Sequence, residues 1–275
     1  MKRRGHVARN DLRETSALFA DEAKKPKHEP PAKVALPKAD HAADPKAVHE
    51  AGEFTHSAPF INCRYDPTGR FLFGSTQDFS IQRFELATGK QTPLAGHQSW
   101  LRAMAFTSDG QTLITGGYDE KLIWWPVAAD KPEPARTVDK AHTGWIRSVD
   151  ISPDGTLVAT TGNDNVVKLW TIDGAPVRTL AGHACHVYHA LFHPDGEMLV
   201  STDLKGVVKQ WEIASGKEVR ELDASKLHKY DTTFRADIGG ARSMAFRPDG
   251  AQLACGGITG VTNAFAGVGN VAVLL

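Results

Sequence analysis

No stretch of this chain is apolar for long enough to cross a bilayer as a helix, which takes about 20 such residues, so no helical membrane span is expected. Charge of one sign is also missing, because 32 basic side chains are matched by 32 acidic ones. A balanced chain carries no overall electrostatic footprint for nucleic acid or an anionic lipid surface, and neither is expected as a partner. Cysteine is scarce. Cys63, Cys185 and Cys255 are an odd number at irregular spacing, which argues against a disulfide framework and for reduced thiols in a cytoplasmic setting. Met1-Lys2-Arg3-Arg4 looks like the start of a signal peptide, yet no apolar segment follows it, so export by that route is not expected. Phosphate-binding loops are missing as well. Gly116-Gly117 and Gly256-Gly257 are not followed by Lys-Ser/Thr, and Gly267-Val268-Gly269 lacks the strand-to-helix setting of a dinucleotide fingerprint. No cofactor is expected. Helical periodicity is nearly absent.

What is present is a repeat. His97, Asp119 and Trp125 stand 22 and 6 residues apart, and His142, Asp164 and Trp170 repeat those spacings. A third copy opens at Gly182-His183 and closes at Trp211, 28 residues after its His. Within a copy, Ile146–Ile151 is β-rich and Ser152-Pro153-Asp154-Gly155 is a turn, with Pro fixing φ and Gly free to take φ > 0. Leu157–Thr161 reads as a second strand, Gly162-Asn163-Asp164-Asn165 as a tight turn, Val166–Trp170 as a third strand and Val177–Leu180 as an outer fourth. Short strands punctuated by turns mean an all-β fold, and one unit recurring every 40–50 residues means an array.

These motifs closely resemble the WD-repeat family, in the style of its bacterial members, whose unit is a four-stranded propeller blade opening near Gly-His and closing at a Trp. The resemblance implies a β-propeller over about residues 54–275, with about five blades and the last incomplete. By position the blades start at His56, His97, His142, His183 and Asp237, in steps of 41, 45, 41 and 54. Their approximate bounds are 54–94, 95–139, 140–180, 181–222 and 237–275, with an insertion at 223–236. The pattern decays toward both ends. Phe84 replaces the Trp and Gly74 the Ser/Thr of the first blade, Lys205 takes the Asp position of the fourth, and Asp237, Cys255 and Thr259 take the His, Ser/Thr and Asp positions of the fifth. Asn270–Leu275 reads as a third strand, with Phe265 at the Trp position by count and a Gly-rich loop before it. Five blades are few for a propeller of this kind, so the ring is expected to be unclosed, completed by another chain, or cut short by truncation. An open ring leaves strand edges and apolar flanks for self-association. Residues 1–53 form a charged arm rich in Ala, Pro and Lys, in which a short helix over Asp11–Lys24 is the one candidate element.

Two constellations look chemical. His142, Thr160 and Asp164, like His97, Thr115 and Asp119, hold the residue types of a hydrolytic triad. An active site is needed once, whereas this set recurs. The family resemblance implies instead one internal hydrogen-bond network per blade, joining His97, Thr115, Asp119 and Trp125, then His142, Thr160, Asp164 and Trp170, then His183, Ser201 and Trp211. No catalytic residue is expected. His183, Cys185, His186, His189 and His193 form the densest metal-like cluster. Strand spacing spreads such residues too far apart for three or four to converge, so no metal site is expected.

The resemblance also implies a partner-binding top face, built from the residues three and five after each blade His and the one before each Asp. By position these are Trp100, Arg102 and Tyr118, Trp145, Arg147 and Asn163, His186, Tyr188 and Leu204, with Arg242 in the last blade. Trp, Tyr and Arg are the types enriched at binding hot spots, and Arg can grip a carboxylate or phosphate with two hydrogen bonds. Trp124 is a second exposed candidate on the flank of the second blade. The expected function is a non-catalytic scaffold for proteins or peptides, acidic or phosphorylated ones included. The competing expectation is a regulatory or sensor module working with a separate or lost kinase or protease domain. Fold by itself does not decide between them.

Overall fold

The structure, a computed structural model, describes residues 50, 52–263 and 268–275. The chain divides into two units, Met1–Glu53 and Phe54–Leu275. The expected Asp11–Lys24 helix and Phe265 lie outside the described residues.

Each blade is a meander of antiparallel strands paired in sequence order. Blade one holds β1 (Phe60–Tyr65), β2 (Phe71–Thr76), β3 (Ile81–Glu85) and β4 (Gln91–Leu94). Blade two holds β5 (Leu101–Phe106), β6 (Thr112–Gly117), β7 (Leu122–Pro126) and β8 (Arg136–Val138). Blade three holds β9 (Ile146–Ile151), β10 (Leu157–Gly162), β11 (Val166–Thr171) and β12 (Pro176–Ala181). Blade four holds β13 (Val187–Phe192), β14 (Met198–Asp203), β15 (Val207–Glu212) and β16 (Glu218–Asp223). A hairpin of β17 (His228–Asp231) and β18 (Ala236–Gly239) follows, and then a three-stranded blade of β19 (Ser243–Phe246), β20 (Leu253–Asn263) and β21 (Val268–Leu274).

Local chemistry makes the turns. In Ser152–Gly155, the Asp154 carboxylate accepts from the Ser152 hydroxyl at 2.6 Å and from the Thr156 amide at 3.0 Å, and Gly155 takes φ +72°. The second turn of each complete blade also needs a positive φ, supplied by Phe79, Glu120, Asn165 and Gly206.

The core lies between blades. One cluster packs Phe71 and Phe73 against Leu101, Leu113 and Trp125, and a second packs Ile114 and Trp124 against Ile146, Val158 and Trp170. A third joins Leu169 and Leu180 to Val187, Leu199 and Trp211, and a fourth joins Val200 and Val208 to Leu227, Met244 and Cys255. Burying one Trp removes roughly 150–250 Å² from water, or about 4–6 kcal/mol gross at 25 cal/mol per Å². Blade-to-blade burial therefore holds the array together. Among the described residues no such cluster joins blade five to blade one. The described residues leave that flank uncovered, and β1 is exposed along almost its whole length.

Three expectations need correcting. Trp124 is buried: its indole N–H donates to the Ile172 carbonyl of blade three at 2.8 Å. A blade sandwiched between neighbours buries both faces, so β7 has no solvent side to which alternation could assign it. The segment 223–236 is not simply a polar connection, since it contributes β17 and the turn to β18. Asp237 lies on β18 and bonds His228 Nε2 at 2.8 Å, so it does not act as a blade-entry group toward Cys255.

Candidate interaction face at the mouth of the propeller

Three blades carry the same buried relay. His97 Nδ1 meets Asp119 at 3.0 Å, its Nε2 meets Thr115 Oγ1 at 2.8 Å, and Trp125 donates to that hydroxyl at 2.8 Å. In blade three the corresponding distances among His142, Asp164, Thr160 and Trp170 are 2.8, 2.7 and 2.9 Å. An indole only donates and a carboxylate only accepts, which fixes the direction: Trp N–H to hydroxyl, hydroxyl to His Nε2, His Nδ1–H to Asp. Thr115, Thr160 and Ser201 are fully enclosed. With their protons and lone pairs engaged and no route for substrate, these hydroxyls satisfy buried polar neighbours and pin the turn to the sheet. Burial pushes the His142 imidazole down, against the pull of Asp164, and keeps it neutral. Burial raises the Asp164 carboxyl, but the His142 bond and the Thr143 amide outweigh it and hold the group below the usual range.

Blade four completes the relay by a route that position-counting missed. Lys205 occupies the Asp position, yet His183 Nδ1 meets Asp203 Oδ2 at 2.9 Å, with Ser201 and Trp211 in place at 2.7 and 2.8 Å. Residue 203 stands where Gly117 and Gly162 stand. A Cβ on Gly117 would lie 2.5 Å from His97 Nδ1 and 2.2 Å from the Asp119 carboxylate. A side chain grown from that position therefore enters the carboxylate's own place. The signal was legible as an Asp two residues before the expected one. Blade one keeps half the pattern: His56 meets Asp78 at 2.8 Å, while the Phe60 ring lies where a Cβ on Gly74 would fall, and Phe84 is buried in the Trp position.

The mouth residues share one backbone device. In the inner pair of blades two, three and four the register skips one residue, and the skipped residues are Arg102, Arg147 and Tyr188. A bulge re-aims the side chain it frees from the ladder. Arg242 sits just before β19, its amide bonded to the Gly256 carbonyl. Arg102, Tyr118, Arg147, Tyr188 and Arg242 together line one pocket of about 90 Å³. Tyr118 and Trp145 stack in parallel with centroids 4.3 Å apart. The Arg147 guanidinium lies 4.8 Å from the Trp145 ring and 4.9 Å from Tyr188, and its Nε donates to Asn163 Oδ1 at 2.7 Å. Trp100 and Trp145 are exposed, and neither they nor Asn163, His186 and Leu204 line the pocket. His186 Nδ1 donates to the Asn163 carbonyl at 2.8 Å.

Charge at this mouth is one-sided. Among the described residues, Arg102, Arg147 and Arg242 have no ion-pair partner. The two acids that follow Tyr118 in the chain are committed elsewhere, Asp119 to His97 and Glu120 to the Gly144 amide at 2.7 Å. The metal-like set is dispersed. His183 joins its relay, His186 faces Asn163, His189 lines the central chamber and His193 bonds Gly250 and Asp195.

Residues 89–126, 133–171 and 174–212 match the family model described as "WD domain, G-beta repeat". The chain is similar to nuclear distribution protein nudF of Aspergillus niger, at 27% identity over 54% of this chain and 38% of that protein. It is similar to mitotic checkpoint protein bub3 of Dictyostelium discoideum, at 26% identity over 30% of this chain and 24% of that protein. Mitotic checkpoint protein bub-3 of Caenorhabditis elegans is 27% identical over 28% and 22% respectively. The chain thus spans well under half the length of the curated relatives it matches.

Proposed function

Because three segments match WD-domain repeats and the chain folds into propeller blades, we propose that it is a WD-repeat scaffold, non-catalytic, that holds an acidic protein segment at the propeller mouth. The observation that carries this is the convergence of three guanidiniums without ion-pair partners and the half-buried rings of Tyr118 and Tyr188 on one pocket, with exposed Trp145 stacked on Tyr118. Aromatic rings and Arg supply most binding energy at such surfaces, and a cation cluster draws an acidic partner electrostatically. A carboxylate-rich or phosphorylated segment is the chemistry that fits. The buried relays support the non-catalytic part, because each of their hydroxyls is sealed. The reduced cysteines and the neutral overall charge are consistent with a cytoplasmic setting.

The test compares the wild type with Arg102→Ala plus Arg147→Ala. A fluorescent Glu-rich peptide, followed by anisotropy, should bind the wild type and lose at least tenfold in affinity to the double variant. The far-ultraviolet circular dichroism should be unchanged. Trp100 and Trp145 are the exposed indoles, so their fluorescence gives an independent signal on binding. Equal affinity in a folded double variant removes the proposed face.

A further inference from the structure

Beneath the mouth lies a chamber of about 530 Å³ to which all five inner strands, or the residues just before them, contribute. Its wall includes Arg64, Arg102, Arg147 and Arg242 and, among the described residues, contains no Asp or Glu. Little of this donor capacity is used. Arg64 gives one N–H to the Met104 carbonyl, Arg147 gives Nε to Asn163, and Arg242 gives Nε to the Gly239 carbonyl at 3.3 Å. Each guanidinium offers five N–H groups in a fork that matches two oxygens of an oxyanion. Asp150, which does not line the wall, accepts the Phe192 amide at 2.8 Å and feels the charge of Arg64, so it offsets that one cation in part. His189 adds a second observation. It lines the same chamber, and its Nδ1 is sealed from solvent with no partner in the protein. A buried ring nitrogen left unpaired is rare in a native protein, and a bound group beside it is one physical account of it.

We infer that this chamber binds a small, multiply charged oxyanion of the phosphate class. Four converging cations repel one another unless their charge is met, and a monocarboxylate would meet only one of them. A tetrahedral dianion offers several acceptor edges to forks arriving from different strands. The site goes beyond the interaction face but shares Arg102, Arg147 and Arg242 with it, so the tests rely on residues that the face does not use.

Cys63 lines the chamber and is exposed, which allows a test on the unaltered full chain. Its modification by an anionic and a cationic methanethiosulfonate of similar size is followed by peptide mass spectrometry. The anionic reagent should react about tenfold faster at low salt. That preference should collapse near 1 M salt, where the Debye length falls to about 3 Å, and inorganic phosphate should slow both reagents. Equal rates, or a faster cationic reagent with no phosphate protection, overturn the inference. Calorimetric titration with inorganic phosphate should show at least a tenfold loss of affinity for Arg64→Gln, and unchanged affinity in that variant also overturns it. If Arg64→Gln does not fold, the thiol experiment decides alone. A phosphoserine peptide that binds while inorganic phosphate does not would assign the cations to the partner and overturn a free-anion site. Loss of the peptide-capture result with phosphate binding intact would remove the interaction face and leave this inference standing.

Discussion

At the scale of single residues, Asp203 shows what position-counting reads well and where it stops. The His, Ser/Thr and Trp of each relay stand at fixed spacings in the sequence, and the structure joins them at 2.7–2.9 Å. The fourth carboxylate was invisible to that count because it reaches the same imidazole from two residues earlier. The geometry gives a compensation test. Asp203→Gly leaves buried His183 without its acceptor and should cost about 1.5–3 kcal/mol, the range for a hydrogen bond to a charged group. Adding Lys205→Asp recreates the Gly-x-Asp order of blades two and three and should recover most of that loss. Urea unfolding of both variants decides, and no recovery would show that residue 205 does not aim at His183. Buried imidazoles also set a pH response. Burial and the Arg64 charge push His189 down to about 4, and burial lowers His142. As pH falls below about 6.5, the unfolded chain takes up protons that the folded chain refuses, so stability drops with acid. Burial lowers His193 too, but Asp195 and the Gly250 carbonyl raise it overall, so it acts in the opposite sense. That pair is largely solvent-facing and counts for less. His189→Phe should flatten the dependence between pH 6.5 and 4 by up to about 1.4 kcal/mol per pH unit. An unchanged slope would mean that His189 titrates normally in the folded state.

At the scale of elements, the strands were legible because turn chemistry brackets them, with Asp-Gly at one end and the Asp-centred turn at the other. Two features were not. Inner and middle strands bury both faces between blades, so alternation could not place Trp124. The bulge that frees Arg102, Arg147 and Tyr188 inserts one residue without leaving a composition signal. The resemblance implied a partner-binding face that includes those three side chains, and the bulge is the physical reason they line one pocket together. The second turn carries a cost of its own. Phe79 holds φ +73° while 39% exposed, and a bulky residue in the left-handed region is strained by roughly 1–2 kcal/mol. Blade four has Gly206 at the matching position, at φ +80°. Phe79→Gly should therefore hold or raise stability, by up to about 1 kcal/mol after the greater freedom of Gly in the unfolded chain is counted. The midpoint of thermal unfolding reports it. A clear fall would show that the Phe79 ring contributes more packing than its exposure suggests.

At the scale of the whole molecule, an open array differs from a closed ring in how stability is shared. In a repeat array each unit leans on its neighbours, so a unit with two neighbours is held more firmly than a unit with one. Blades two, three and four each contribute to two hydrophobic clusters, while blades one and five contribute to one apiece. The inner strands show the consequence. In β9, Ile146, Ser148 and Val149 are buried, whereas no residue of β1 is, and Tyr65 is 62% exposed. The sequence already hinted at this gradient through the loss of the full His–Thr–Asp–Trp set toward both ends. It could not show that blade one would replace the Ser/Thr–Trp half of the relay with a Phe54–Phe60–Phe84 cluster left partly open to solvent. Amide hydrogen exchange measures this distribution directly, since protection reports the free energy of local opening. Protection should be strongest in β6, β10 and β14, whose amides lie in the middle of two-sided blades, and weakest in β1 and β19–β21. The difference should amount to at least tenfold in exchange rate, or about 1.4 kcal/mol of opening free energy. A second chain that covered the open flank would bury β1 and β21 and raise their protection as protein concentration increases. Uniform protection across all five blades at low concentration would contradict the open-array reading, because it would require the first and fifth blades to be supported as fully as the third.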